Sequence, residues 1–481
     1  MKKLMSIVLA LVMALSLCVT TTWAAVTEVN TETDLRNAAA AGGEIKLTGN
    51  IELTSTLEIK DSKSVTIDLN GFTITSNIGT AIKVNNGYLT VTGTGNINVK
   101  YEAFRLVGNK TADHTTATPA ELTIHAGVTV VSENDCCVFM YGKGAKVDVY
   151  GSLTSKGVYA TIMGNGSKNA TEDCGDTVIT IYEGAEVIGF NGAIYHPQSG
   201  TLTVNGGKIT GPLGIEMRAG TLNINGGIIE GTGDYAVDEN TSGSTTKGAA
   251  VAVAEHGTKL GVTVNVRGGT IIARGAAKAL SVTDPQGVSA TSTNPITVNI
   301  TGGSVNGEVF QPDEFEGAKP TAITGGTFNT DVTAFVPTGT PVAKDEAGSQ
   351  YVGSDSIADA ANSGKEMTMV QGGAIDGLAP GAVIIVPQGV TGTTLNGNAA
   401  EHGYYTIADP NAYQHEPVRR QHTTTPVEET TTTTDTKADD TTKADTVTSA
   451  KTFDAGVAVY GVMAVLSLTG SAAVIGKKKE F

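Results

Sequence analysis

Two short segments hold chemically capable side chains at matching distances from a glycine: Tyr195-His196-Pro197-Gln198-Ser199-Gly200 and Ile215-Glu216-Met217-Arg218-Ala219-Gly220. Aligned on Gly200 and Gly220, His196 falls opposite Glu216 and Gln198 opposite Arg218, with Tyr195 beside them. Extending the alignment to Val251-Ala252-Val253-Ala254-Glu255-His256 adds Glu255 and His256 to the row. A histidine, a carboxylate and a guanidinium in one row can bind glycan hydroxyls, hold a metal ion, or move a proton as general acid and base. The candidate catalytic residues are His196, Glu216 and Arg218. Tyr195, Gln198, Glu255 and His256 join them as candidate ligand-binding residues. The competing reading is a solvated ladder in which Glu216 and Arg218 satisfy one another.

Such a row exists only if successive segments stack. The sequence supplies the repeat: VTIDLNG ends at Gly71, YLTVTG at Gly93, LTIHAG at Gly127, VDVYG at Gly151 and ITIYEG at Gly184. The series continues through Gly206, Gly226, Gly268, Gly302 and Gly325, with the shortest intervals at 20–24 residues. A period of this size is the signature of a solenoid, in which no single unit can bury its apolar face alone. In TLTVN, alternation points Leu202 and Val204 inward and Thr201, Thr203 and Asn205 outward. Leu222 and Ile224 then stack on Leu202 and Val204. The expected fold is an all-β, right-handed parallel β-helix of ten rungs, a rod of roughly 50 Å at ~4.8 Å per rung.

Both ends of a rod need cover, because open strand edges aggregate. Residues 31–42 predict a short Ala-rich helix with Thr31 and Asp34 spaced as a capping box. A similar pattern returns at Ser356–Gly364, followed by Glu366–Met369, and predicts a small β-rich unit. The expected organisation is a signal peptide over 1–24, a parallel β-helix over 25–345 and the small unit over 346–415. A Thr-rich disordered stalk over 416–453 and a transmembrane anchor with a basic tail over 454–481 follow.

Composition agrees. Of 481 residues 60 are Gly, aromatic residues make up 5%, and the formal net charge is -16. Such a charge repels phosphate backbones and excludes a nucleic-acid partner. Lys2 and Lys3, the apolar run Ile7–Val19 and Thr22-Trp23-Ala24 read as an export signal cleaved after Ala24. Leu17 before Cys18 excludes a lipoprotein signal. Cys136, Cys137 and Cys174 then allow at most one internal disulfide, joining Cys174 to one of the neighbouring pair, or none. Ala455–Ile475 carries no charge over 21 residues and precedes Lys477, Lys478 and Lys479. That is long enough to span a ~30 Å hydrocarbon core with the basic tail in the cytoplasm. The expected location is therefore the cell envelope, anchored to the membrane through the C-terminal helix.

The segment TDLRNAAAAGGEIKLTGNIELTSTLEI…VTIDLNGFTI and the rungs AIYHPQSGTLTVNGGKITGPLGIEMRAGTLNINGGIIEG resemble pectin-lyase-like β-helix domains on exported surface proteins of Gram-positive bacteria. The C-terminal tail is similar to their cell-wall sorting signals, although Ser449-Ala450-Lys451-Thr452-Phe453 keeps only Thr452 of Leu-Pro-x-Thr-Gly. The resemblance implies one of three functions: adhesion or weak carbohydrate binding without catalysis, a polysaccharide lyase or glycoside hydrolase, or a structural envelope role. The implied partner is an extracellular glycan or a host or neighbouring cell surface. Pectin-degrading hydrolases of this fold combine clustered aspartates with Gly-His-Gly and Arg-Ile-Lys, of which only Asn329-Thr330-Asp331 has a counterpart here. A calcium-dependent lyase needs several acids converging on one rung face. The sequence offers none, so no cofactor is expected. The leading expectation is the non-enzymatic one.

Overall fold

The computed structural model describes residues 26–107, 118–168, 172–238, 243–284, 293–312 and 320–409. Three short strands per turn build three parallel stacks. One turn runs Thr177–Ile181, Glu186–Gly189 and Gly192–His196; the next runs Gly200–Val204, Lys208–Gly211 and Leu213–Met217. The third stack is a separate sheet of ten strands, from Leu57–Ile59 to Val309–Phe310.

Alternation decides what each strand buries. In the first stack Leu122, Val147, Ile179, Leu202, Leu222, Val264 and Val298 pair in unbroken register. All seven are buried. Val204 pairs with Ile224 in the same way. Each aliphatic side chain removed from water contributes roughly 1.5–3 kcal/mol, available only once its neighbours above and below are in place.

The Gly-Gly pairs close the corners, and the two glycines do different work. A Cβ on Gly226 would sit 2.6 Å from the carbonyl oxygen of Asn205, so the first allows rungs to approach. Gly227 has φ +79°, which L-residues with side chains rarely adopt, and makes the turn, while its own Cβ would also lie 2.6 Å from Gly206 O.

The helix Glu32–Ala41 caps the first rung. Thr31 Oγ1 accepts from Asp34 N at 3.1 Å, as the spacing of those residues implies. Glu32 accepts from Thr54 Oγ1 at 2.7 Å while Arg36 donates to Thr56 O at 2.8 Å, tying the helix to the turn beneath it. At the other end Gln350–Val352 pairs antiparallel with Thr321–Phe328 and with Val342–Lys344. The helix Ser354–Asn362 and the parallel pair Glu366–Gln371 and Val383–Val386 follow. Ile357, Met367, Met369 and Ile384 share a second buried cluster there.

One expectation is corrected. Among the described residues no helix is long and apolar enough to cross a membrane. Glu32–Ala41, at ten residues, spans only about 15 Å. The transmembrane helix in the expected fold is not supported. Attachment to a membrane through it, the envelope-anchored location and the cytoplasmic tail are set aside with it. What stands of the resemblance is the largely parallel solenoid architecture. The apolar stretch 454–481 itself, the stalk over 416–453 and the signal peptide over 1–24 lie outside the described residues.

Cys136, Cys137 and Cys174 are buried. No disulfide joins them. Cys137 Sγ donates to Thr154 O at 3.2 Å, and burial pushes its thiol up to about 12.

Candidate functional site

The register of the third stack redistributes the candidate residues. Tyr195, not His196, pairs with Glu216, and His196 pairs with Met217. The shift originates in the corner: three residues separate His196 from Gly200, whereas two separate Met217 from Gly220. Beyond the corner Thr201 and Thr221 are again in step. A slip of one residue moves a side chain to the opposite face of a strand. It sends His196 into the core and Glu216 to the outside.

His196 is fully buried. Its Nδ1 donates to Ala219 O at 3.0 Å, leaving Nε2 to accept from Thr177 Oγ1 at 3.3 Å. Burial holds its pKa down at about 4, so the ring is neutral. Gln198, the extra corner residue, also turns inward and donates from Nε2 to Met140 O at 3.0 Å. Glu255 Oε1 accepts from Gly261 N at 2.9 Å, and burial raises its carboxyl. His256 Nδ1 accepts from Thr258 N at 3.2 Å, and burial, with the Arg218 guanidinium behind it, lowers its pKa. The expected row of seven does not form a single face.

Tyr195 and Glu216 do come together, on the outer side of the third stack. Residues 232–238 and 243–248 leave the solenoid between Ile228–Gly231 and Ala249–Ala254, with Ala236–Val237 pairing antiparallel with Thr246–Lys247. This excursion covers Glu216, which is fully buried although it points away from the core. Thr245 N at 2.8 Å, Thr245 Oγ1 at 2.9 Å and Thr246 N at 3.2 Å all donate to Glu216 Oε1. Glu216 Oε2 is buried without a hydrogen-bond partner. Burial raises the Glu216 carboxyl above the ordinary carboxylate range, against the opposing pull of Ser244, Thr245 and Arg218. Burial likewise pushes the Tyr195 phenol up.

Arg218 is buried at the corner. Its Nε donates to Ala254 O at 2.7 Å, Nη2 to Glu255 O at 2.9 Å and Nη1 to Gly243 O. It thereby joins the excursion to the next rung.

Glu216 and Tyr195 border a cavity of about 260 Å³. Val158, Ala160, Met163, Ile194 and Leu213 make its walls apolar, and Ser244, Thr246 and Lys247 approach from the excursion. Glu216 is the one carboxyl among the described lining residues. The walls and roof were not identified from the sequence. Their only signal is the 42-residue interval between Gly226 and Gly268, about twenty more than a bare rung.

Other aromatic and polar side chains have local roles. Tyr150 and Tyr182 stack on each other, centroids 4.0 Å apart, and His125 continues the stack. Asp331 of Asn329-Thr330-Asp331 accepts from Thr333 N and Gln350 Nε2, both at 2.9 Å, and so shapes a turn. Among the described residues no group of three or more His, Cys, Asp or Glu side chains is placed to hold a metal ion.

Protein-family models, curated proteins and solved structures return no match to this chain.

Proposed function

We propose that this chain is a weak carbohydrate-binding protein without chemistry of its own. One sugar residue enters the cavity beside Tyr195 and Glu216. The repeating parallel β-sheet architecture is shared by lyases, hydrolases and adhesins, so the fold alone does not choose among them. The cavity carries the reading. Mostly apolar walls, two aromatic rings, Tyr159 and Tyr195, and a few convergent polar groups are the usual composition of a small-ligand site. Its 260 Å³ exceeds the ~150 Å³ that accommodates a benzene ring.

Hydrolysis is the second reading, favoured by the raised Glu216 carboxyl, which could act as a general acid. A glycosidase of the usual kind requires a second carboxylate within about 5–9.5 Å. Glu216 stands alone in the described lining, which favours binding over cleavage.

Titration of the full chain with a panel of neutral and acidic oligosaccharides, with reducing ends assayed in the same samples, tests both. Saturable binding lost in Ala160→Trp, with no new reducing ends, is the expected result. Absence of saturable binding to every sugar overturns the proposal. Release of reducing ends abolished by Glu216→Ala replaces it with the hydrolase.

A further inference from the structure

The two most exposed large apolar side chains among the described residues, Phe190 at 71% and Val158 at 67%, share one corner of the solenoid. Three hydrogen bonds hold the two successive turns together there: Phe190 N to Ser155 O at 2.9 Å, Asn191 Nδ2 to Val158 O at 2.8 Å and Thr161 N to Gly192 O at 3.1 Å. Tyr159 and Ile188 are exposed on the same two turns. A single exposed apolar side chain is ordinary, whereas several gathered on adjacent turns point to a surface with a partner.

This surface is continuous with the cavity: Val158, Tyr159 and Asn191 line the cavity and are also exposed at the corner. Charge narrows what can lie there. Lys156, in the same corner, is paired with Glu133 at 2.8 Å, and Lys247 on the cavity wall with Asp238 at 3.2 Å. An acidic chain is therefore repelled by the net charge of -16 and meets no unpaired cation among the described corner residues. Exposed aromatic rings present a negative π face, which suits the C–H face of a neutral sugar ring. Asn191, with Nδ2 engaged, keeps Oδ1 to accept a sugar hydroxyl.

Resting on the carbohydrate-binding reading, we infer that the ligand is a neutral oligosaccharide, with one unit in the cavity and the next lying across Tyr159 and Phe190 at this corner. Affinity then rises with chain length. Phe190 is the residue that distinguishes an oligosaccharide from a single sugar.

The test is calorimetric titration of the full chain with single sugars and β-1,4-linked trimers of glucose, xylose and N-acetylglucosamine, and with trigalacturonate as the charged comparison. For the sugar that binds, the trimer is expected to bind about tenfold more tightly than the single unit, a gain of ~1.4 kcal/mol. Phe190→Ala is expected to bring the trimer to within about threefold of the wild-type single sugar, most of that gain being lost. Phe190→Trp, which keeps a ring, is expected to retain it. Equal affinity for single sugar and trimer overturns the inference and leaves the carbohydrate reading intact. So does a full gain in Phe190→Ala with an unchanged thermal midpoint. Tighter binding of trigalacturonate than of every neutral trimer overturns the neutral ligand. A dimer in sedimentation that Phe190→Ala dissociates assigns the corner to a second copy of this chain, and overturns the inference too. Silence with these probes and with the wider panel overturns both the inference and the carbohydrate reading. The wild-type comparison of single sugar with trimer decides even where a variant fails to fold.

Discussion

Thr245 donates twice to the same atom: its backbone N–H at 2.8 Å and its hydroxyl at 2.9 Å both reach Glu216 Oε1. The contact joins residues 29 positions apart and fastens the excursion to the solenoid. Thr245→Val keeps the shape and the backbone donor but removes the hydroxyl. A buried hydrogen bond contributes about 1 kcal/mol, and leaving an acceptor undersupplied adds to that. The expected result is a loss of about 1–2 kcal/mol, read as a lower urea midpoint with an unchanged slope. An unchanged midpoint would mean that the roof is held elsewhere.

His196 and Glu216 bend the pH–stability curve in opposite directions. In the unfolded chain an imidazole takes up its proton near pH 6.5, whereas buried His196 resists protonation until about pH 4. Between those values the unfolded state binds more protons, so stability falls on acidification, by on the order of 3 kcal/mol in all. The folded-state pKa of Glu216 is raised, so above the ordinary carboxylate range the folded state binds more protons. That contribution is complete at low pH and is lost as pH rises through the raised value. His196→Gln is expected to flatten the acid limb and Glu216→Gln the opposite one. Denaturant midpoints collected from pH 4 to 8 for the three proteins check both signs.

Two glycines with nearly equal φ separate backbone conformation from crowding. Gly227 (φ +79°) and Gly184 (φ +80°) both occupy the left-handed region. A Cβ on Gly227 would lie 2.6 Å from Gly206 O, whereas one on Gly184 meets nothing within 4 Å. Gly184→Ala is expected to cost only the left-handed strain, roughly 1–2 kcal/mol. Gly227→Ala must also push rungs apart and should cost clearly more, or prevent folding. Equal thermal midpoints for the two variants would remove rung contact as the reason for the paired glycines.

The solenoid was legible in the sequence because its determinants are local and repeated. Leu202 and Leu222 declare their facing by alternation, and paired glycines mark the corners, so the register Leu202–Leu222 followed directly. The site was less legible because it depends on the length of one corner. Alignment on Gly200 and Gly220 carries the first stack's spacing across Pro197, Gln198 and Ser199, which form the longer corner, and therefore misplaces His196 by one residue. Thr245 and Thr246 belong to no repeat. Nothing in their own sequence indicates that they would cover Glu216, 29 and 30 residues away.

Arg218 provides the sharpest test of how the excursion is fixed. Its guanidinium reaches carbonyls on two sides, Gly243 in the excursion and both Ala254 and Glu255 in the next corner, from a fully buried position. Only a planar, forked donor can serve acceptors in several directions at once. Arg218→Lys keeps the charge and most of the stem, yet a single ammonium cannot span them and remains a buried cation with fewer partners. Arg218→Met removes the charge together with the donors and leaves the carbonyls unsatisfied, at about 1–3 kcal/mol for each that finds no water. Both are expected to destabilise, by on the order of 3–5 kcal/mol, the range for breaking a buried charged network. Lys should not rescue Met by more than a third of that loss. If Arg218→Lys unfolds at the wild-type denaturant concentration, charge alone suffices and the forked geometry is not what holds the roof above Glu216.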